Sequence, residues 1–577
     1  METDRGTFKF ASALRGMARM NYRSIDFRGD VMAGITVGII ALPLAMALAI
    51  ASGVAPQYGL YTAIVAGAIA ALTGGSRVNV SGPTAAFVVI LLPITEKYGL
   101  GGLLIATVMA GMMLVAMGLA RMGRLLEYIP YPVTTGFTAG IGTVIAFLQI
   151  KDLLGLEMQG SGGVHLFDKL GAMLSALPTT HLNDFLIGAL TFAVLLLWGR
   201  LKTAVPPHLI ALIVGSLIAF FGHRWFAGFD VSTIGSRFTY VLDGVEGHGI
   251  PQVPPTPLLP WTLPDAHGQP VGLSFALIRE LIEPAFAIAM LGAIESLLCA
   301  VVADGLAGTR HNPNAELVGQ GIGNIIAPFF GGITATAAIA RTATSVRSGA
   351  KSPVAAVVHS LVVLCAILLL APLLAHVPMA SLAALLLLTA WNMSDAKHFA
   401  HILKVAPRSD VIVLLVCFTL TVVFDMVIAV TVGVLLAAAL FIRRMSEITG
   451  SVLVDQSAHE QAIGMPSHIA VYDINGPLFF GAAEKAIGAL QMVDRKVKVV
   501  ILDMGDVSHI DMTAIVALES LLHRLQKGGV AAVINNLDPR LTLQLTKAGV
   551  HEVDGKLAFS MNMEEAKNMA LKWWPVT

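Results

Sequence analysis

Long apolar runs alternate with short polar breaks between residue 31 and about residue 445. Seven such runs precede a polar, proline-rich stretch at 222–280, and seven follow it. Apolar runs of this kind are typical of helices that cross the hydrocarbon core of a bilayer. The pattern therefore predicts a polytopic α-helical membrane protein with fourteen transmembrane segments.

The second run of each group is followed by a glycine pair, Gly74–Gly75 in the first group and Gly331–Gly332 in the second. A short helix follows each pair, at about 84–97 and at about 337–347. At about 1.5 Å per residue, neither helix is long enough to cross a hydrocarbon core of about 30 Å. Irregular backbone persists at membrane depth only where protein or a water-filled cavity surrounds it. A matched pair of interrupted segments therefore indicates the binding site of a transporter.

The number of runs in each group sets the orientation of the two halves. Because seven is odd, the second half must enter the membrane from the opposite side, which predicts a seven-plus-seven inverted repeat. Lys and Arg are concentrated in alternate loops, and positively charged loops stay in the cytoplasm. We therefore expect both termini to be cytoplasmic.

The composition agrees with a membrane protein and narrows the range of functions. Hydrophobic residues make up 56% of the chain, charged residues make up 13%, and the mean hydropathy is +0.77. Lys and Arg together number 37, as do Asp and Glu, so the net charge indicates no nucleic-acid partner. The 3 cysteines lie in apolar runs without metal-ligand or disulfide spacing. We predict no cofactor, no metal and no enzymatic activity, because the sequence contains no nucleophile–base or metal-ligand arrangement.

The starts of the two short helices are the candidate binding site. A helix that begins at mid-membrane presents unpaired N–H groups and the positive end of its dipole, so two such starts that face each other predict an anion site. Arg341, one turn into the second short helix, adds a charge suited to a carboxylate or another oxyanion. An arginine that extends toward the membrane surface from a helix end is an equally open alternative.

Glu295 is a lone acid within the eighth apolar run. An intramembrane carboxylate is costly and is a functional-site hypothesis by default. Because burial disfavours the charged form of a carboxyl group, Glu295 is the candidate for proton coupling. The alternative is a structural residue that is permanently paired or permanently protonated.

The sequence after residue 445 has the pattern of a small α/β domain. Segments 468–474 and 497–503 are predicted strands, and amphipathic segments at 482–492, 513–526 and 539–548 are predicted helices. The predicted domain organisation is a cytoplasmic N-terminal segment at 1–30, a transmembrane domain at 31–445 and a cytoplasmic domain at 446–577.

Three stretches carry a resemblance to a known family: 53–62, the break at 76–83, and 314–324. Together they resemble the SulP anion-permease family over essentially the whole chain. Stretches 47–50, 292–302 and 316–341 are similar to the bacterial four-carbon dicarboxylic acid transporters within it. The resemblance implies a fold of core and gate domains, elevator-like alternating access, frequent homodimers and a bacterial inner (plasma) membrane location.

The resemblance also implies which residues bind the anion. The family's anion lies between the two short-helix starts, which maps the substrate contacts onto Leu44, Leu48, Thr84, Ala85, Ala338, Ile339, Ala340 and Arg341. Glu295 matches the acid of the family's eighth span. Many members have Gln directly after the first-span proline, whereas Leu44 follows Pro43 here, so sulfate specificity does not carry over directly.

The C-terminal domain resembles the STAS domain of SulP proteins, which is related to anti-sigma-factor antagonists. Thr513 stands where those antagonists carry a phosphorylated serine, and a phosphate at a helix N-terminus is electrostatically favourable. The favoured alternative is that Asp511 or Thr513 only caps the following helix. A cytoplasmic protein partner of this domain is a further expectation.

The resulting functional hypothesis is proton-coupled uptake of a four-carbon dicarboxylate such as succinate, fumarate or aspartate. Bicarbonate, sulfate and chloride are the alternative substrates within the same family. An uncoupled anion channel and a membrane-anchored signalling module are the alternatives from other functional classes.

Overall fold

The computed structural model describes residues 11–19, 22–126, 129–158, 166–201, 205–226, 228–242, 244–424, 426–448, 450–453, 465–466, 468–479 and 496–575. The chain divides into two compact units, Met1–Val434 and Leu435–Thr577.

The first half of the first unit is almost entirely helical. Its elements are α1 (Ser12–Arg19), α2 (Ser24–Ala51), α3 (Pro56–Thr73), β1 (Ser81–Gly82), α4 (Ala85–Leu119), α5 (Gly123–Leu126), α6 (Tyr131–Leu153), α7 (Leu166–Ala176), α8 (Leu182–Arg200) and α9 (Pro207–Trp225). The short helix predicted at 84–97 is the first part of α4. Gly99 divides α4 at a left-handed φ of 67°, and a side chain there would overlap the backbone of Asp265.

The second half begins with a short helix and a small β-hairpin. Its elements are α10 (Ile234–Arg237), β2 (Thr239–Leu242), β3 (Val245–His248), α11 (Phe275–Ala307), α12 (Pro313–Ile326), β4 (Thr336–Ala337), α13 (Ile339–Arg347), α14 (Val354–Leu374), α15 (Met379–Ser394), α16 (Ala396–Val405), α17 (Arg408–Val423) and α18 (Met426–Ile448), whose sequence continues past Val434 into the second unit. Helix α13 starts two residues later than predicted because Thr336–Ala337 is extended.

The two halves correspond element by element. With α4 counted as two segments, the described residues contain seven principal segments in each half, beginning with α2 and with α11. Eight helical stretches in the described residues are long and apolar enough to cross a membrane by length and composition, if α15 and α16 are counted together as Met379–Val405. Helix α4 packs against α11 and α12, while α14 packs against α2 and α3, so each half completes the packing of the other. This exchange is the architecture of an inverted repeat.

The second unit contains a five-stranded sheet. Its elements are β5 (Gly450–Leu453), β6 (Ile469–Asn475), β7 (Val499–Asp503), α19 (Met512–Lys527), β8 (Ala531–Asn535), α20 (Pro539–Lys547), β9 (Leu557–Ser560) and α21 (Met563–Trp573). The strand order is β5-β6-β7-β8-β9, antiparallel for the first pair and parallel for the others. Buried side chains form a core on each face of the sheet. The helix predicted at 482–492 lies outside the described residues.

Candidate anion site

A two-stranded antiparallel pair joins the two glycine-rich breaks. Ser81 pairs with Ala337 and Gly82 pairs with Thr336, and all four residues are buried. The N–H of Ala338 extends the pair by donating to the carbonyl of Val80 at 3.0 Å. Because two residues separate β1 from α4 and one residue separates β4 from α13, the pair holds the two helix starts close together.

Neither short helix has a side-chain cap at its start. Thr84 precedes α4 and Ala338 precedes α13, and both have extended backbone, with φ of −122° and −106°. In neither case does the side chain accept a hydrogen bond from the first turn. No side-chain cap therefore competes with an anion for the first turn and the positive end of either helix.

Glu295 contacts the start of α4. The hydroxyl of Thr84 donates a hydrogen bond to the Glu295 carboxylate at 3.0 Å, and both side chains are partly exposed. On the same turn of α11, the carbonyl of Gly292 accepts a hydrogen bond from the Thr336 hydroxyl at 3.1 Å. Helix α11 therefore touches both breaks and places its carboxylate beside the candidate anion site.

Arg341 points inward, toward the start of α4. Its side chain is only 4% exposed, and Nη2 donates to the carbonyl of Pro83 at 2.9 Å. Nη1 has no hydrogen-bond partner among the described residues, and no carboxylate in that part of the chain lies within ion-pair distance. The guanidinium therefore brings uncompensated positive charge to the junction of β1 and α4.

The remaining predicted substrate contacts are apolar. Helix α2, which carries Leu44 and Leu48, packs against both α4 and α13, with Leu48 buried and Leu44 partly exposed. Ala85 is buried and Ala338 is partly exposed. Ile339 and Ala340 are exposed. The substrate contacts given by the family resemblance therefore lie on the three helices that surround the two starts.

Helix α12 contributes three buried polar residues for which the sequence alone predicts no role. Glu316, Gln320 and Asn324 follow one face of α12 and are buried. The sequence signal was present, because three polar residues recur every four positions in an otherwise apolar helix. Segment 314–324 contributed only to the family resemblance, since nothing local indicates what those side chains contact.

Thr513 in the second unit is exposed and is the second residue of α19. Asp511 occupies the N-cap position, where its carboxylate accepts a hydrogen bond from the N–H of Ala514 at 2.8 Å. Capping is therefore performed by Asp511, and the Thr513 hydroxyl is accessible on the surface.

Comparison with known proteins identifies the family. Residues 27–417 match the model of the sulfate permease family, and residues 463–566 match that of the STAS domain. The chain belongs to the sulfate permease family. The resemblance inferred from the sequence motifs is thereby confirmed.

The similarity to other members of the family extends over nearly the whole chain. A putative sulfate transporter YvdB from Bacillus subtilis (strain 168) is 39% identical over 94% of this chain and 98% of its own length. The bicarbonate transporter BicA from Picosynechococcus sp. is 30% identical over 87% of each chain. The structure of murine Solute Carrier 26 family member A9, an anion transporter in the inward-facing state, superposes with a TM-score of 0.77. It is 19% identical, over 95% of this chain and 93% of that one.

These comparisons confirm the predicted fold class of a fourteen-segment inverted repeat followed by a STAS domain. The chain is a multi-pass membrane anion transporter of the sulfate permease family. The prediction that it is not an enzyme is confirmed because its relatives are transporters.

Proposed function

We propose that this member of the sulfate permease family catalyses proton-coupled uptake of four-carbon dicarboxylates, such as succinate, fumarate or aspartate. The observation that carries the proposal is the strand pair that joins two uncapped helix starts, with Arg341 and Glu295 beside them. The helix ends and Arg341 attract one carboxylate, and Glu295 carries the proton.

The substrate class is argued from the side chains around the helix starts. The planar guanidinium of Arg341 matches the geometry of a carboxylate or another oxyanion. Leu44 offers no amide where many family members have Gln, which favours a substrate with an apolar carbon skeleton over sulfate. Bicarbonate and sulfate are the second candidates, because the similar proteins BicA and YvdB carry those names.

Proton coupling is argued from the contact between Thr84 and Glu295. The hydroxyl that donates to the carboxylate belongs to Thr84, the residue that precedes α4, so the charge of Glu295 acts directly on the anion site. A negative Glu295 repels the anion, whereas a protonated Glu295 does not. Binding of the proton and binding of the anion therefore favour each other, as linkage requires. An uncoupled channel is the alternative that lacks this linkage.

We also propose where the transporter lies, how its subunits assemble and how it is regulated. We place the transporter in a bacterial inner membrane as a homodimer that works by elevator-like alternating access. Both termini, the segment 1–30 and the STAS domain at 446–577 are cytoplasmic, and 31–445 is the transporter domain. Phosphorylation of Thr513 or binding of a protein partner to the STAS domain would regulate transport.

Uptake by the purified full chain in proteoliposomes tests the function. Radiolabelled succinate, fumarate, aspartate, bicarbonate, sulfate and chloride are supplied with an inward proton gradient and, separately, at equal pH. We expect accumulation of a dicarboxylate above its external concentration only with the gradient. Accumulation of bicarbonate or sulfate alone would assign the second candidate substrates, and flux that never exceeds equilibrium would assign a channel.

A further inference from the structure

Helix α12 presents a row of three polar side chains inside the transporter unit. Glu316, Gln320 and Asn324 are spaced by four residues, so they lie on one face of the helix. Their exposed fractions are 2%, 1% and 1%. Burial of three polar side chains is unfavourable unless each has hydrogen-bond partners, so their contacts require an explanation.

Glu316 forms hydrogen bonds with the first glycine-rich break, which contains Gly74 and Gly75. Its carboxylate accepts hydrogen bonds from the backbone N–H of Gly75 at 2.9 Å and of Ser76 at 2.8 Å. The side-chain amides of Asn79 and Gln320 donate to the same carboxylate at 2.9 Å and 3.1 Å. Four donors directed at one buried carboxylate form charge-assisted hydrogen bonds, which are stronger than neutral ones.

Gln320 forms a hydrogen bond with strand β1, and Asn324 forms hydrogen bonds with the residue that precedes β4. The amide nitrogen of Gln320 donates to the hydroxyl of Ser81, in β1, at 2.7 Å. Asn324 forms a pair of hydrogen bonds with Ala335, which precedes β4: its amide oxygen accepts from the Ala335 N–H and its amide nitrogen donates to the Ala335 carbonyl, both at 2.8 Å. One face of one helix therefore fixes the chain before both helix starts.

Glycine residues allow α12 to come this close. A side chain on Gly319 would overlap the Cα of Gly74, and a side chain on Gly75 would overlap the carbonyl oxygen of Asn312. The N–H of Asn312 also donates to the carbonyl of Gly75 at 3.2 Å. The glycine pair after α3 is thus explained by the close contact with α12.

We propose that Glu316 and Asn324 are positioning residues, which set the distance and orientation between the starts of α4 and α13 and thereby the affinity for the anion. This role rests on the proposed anion site. The physical reason is that two helix dipoles stabilise one anion only when both point at the same position. Displacing either break weakens binding although no residue that contacts the anion has changed.

Transport kinetics of the full chain in proteoliposomes test this role. For Glu316→Gln and for Asn324→Ala we expect KM to rise at least tenfold while Vmax stays within about threefold of wild type. Glu316→Asp keeps the charge and should recover part of the affinity. Because both residues act on one site, the double variant should raise KM by less than the product of the single effects.

Asp30→Asn is the matched control. Asp30 is a fully buried carboxylate on α2 that also accepts backbone hydrogen bonds, from Lys351 at 2.6 Å and Ser352 at 3.2 Å. These partners follow the end of α13 and lie away from the two helix starts. We expect this variant to lose stability without a rise in KM. Wild-type KM in both α12 variants, or a loss of Vmax alone, would overturn the positioning role.

Hydrogen exchange tests the positioning role of Glu316 independently of the proposed transport function. In Glu316→Gln, amides at 79–82 and also at 335–337 should exchange faster, although Glu316 touches only the first break. Faster exchange confined to 79–82 would mean that α12 does not couple the two breaks. This measurement needs no substrate, so it stands even if the wild-type protein transports none of the anions tested.

Discussion

Thr84, the N-cap residue of α4, donates a hydrogen bond of 3.0 Å to Glu295, the acid within α11. The hydroxyl is thereby committed to the carboxylate and not to the first turn of its own helix. The N–H groups at the start of α4 are left for another partner, and the charge of Glu295 lies next to that partner. A change at Glu295 should therefore affect coupling and not only affinity.

We expect Glu295→Gln to abolish accumulation against a gradient while exchange of labelled for unlabelled substrate continues. The amide preserves the size of the side chain and a hydrogen-bond acceptor for Thr84, but it cannot take up a proton. Proteoliposomes with an imposed pH gradient measure accumulation, and equal concentrations on both sides measure exchange.

Glu283→Gln is the control for this substitution. Glu283 is exposed and lies three turns earlier on the same helix, so its replacement should leave proton-driven uptake intact. Normal proton-driven accumulation by Glu295→Gln would remove Glu295 from the coupling mechanism.

Arg341→Gln should raise KM at least tenfold, which corresponds to about 1.4 kcal/mol of lost binding free energy. The substitution removes the buried positive charge next to Pro83 and the start of α4. Arg341→Lys retains the charge without the planar fork and should have an intermediate effect. Arg347, exposed at the end of the same helix, supplies the control Arg347→Gln. Equal KM values for the two Gln variants would contradict a role of Arg341 in binding.

Much of the transporter architecture follows from local pattern, but the site does not. The apolar runs predict the spans, and the glycine pairs predict the breaks. The two-residue strands were missed because Ser81 and Ala337 pair across most of the transporter sequence, and nothing local indicates that contact. For the same reason α13 was predicted to begin at residue 337 and not at Ile339.

The α12 row illustrates the same limit. The spacing of Glu316, Gln320 and Asn324 shows that they share a face, but it does not show that the face meets both breaks. Similarly, Gly74–Gly75 indicates an interruption of the helix, whereas its cause, the close approach of Gly319, depends on tertiary packing. Local periodicity predicts elements, and long-range polar contacts determine the site.

Ala338→Leu should raise KM by filling space at the start of α13 while leaving the fold intact. Ala338 is partly exposed and extended, so the larger side chain meets no backbone restriction there. Thr344→Leu is the control on the same helix, because the Thr344 hydroxyl donates to the carbonyl of Ala340 at 2.8 Å, within its own helix. Saturation curves for both variants measure the effect. An unchanged KM in Ala338→Leu would move the anion away from this helix start.

Asp511→Ala should destabilise α19 by about 1 kcal/mol, the usual cost of losing an N-cap side chain. Its carboxylate accepts the N–H of Ala514 at 2.8 Å, whereas Thr513 is exposed. Thr513→Val should therefore change stability by less than about 0.5 kcal/mol. Hydrogen exchange of the α19 amides in the full chain measures both. A larger loss for Thr513→Val than for Asp511→Ala would reverse the assignment of the cap.

Gly319→Ala should severely impair folding or insertion, because a Cβ at this position would overlap the Cα of Gly74 and no flexible side chain is there to move aside. Helix α12 would have to retreat from the first break, which would weaken the hydrogen bonds of Glu316 to Gly75 and Ser76. Gly305→Ala is the matched control, since Gly305 is helical and its Cβ would meet nothing within 4 Å. That control should be neutral or stabilised by up to about 1 kcal/mol through higher helix propensity. Yield and thermal stability of the purified proteins distinguish the two variants. If the Gly319→Ala protein were as stable as wild type, α12 would not require this close contact with Gly74.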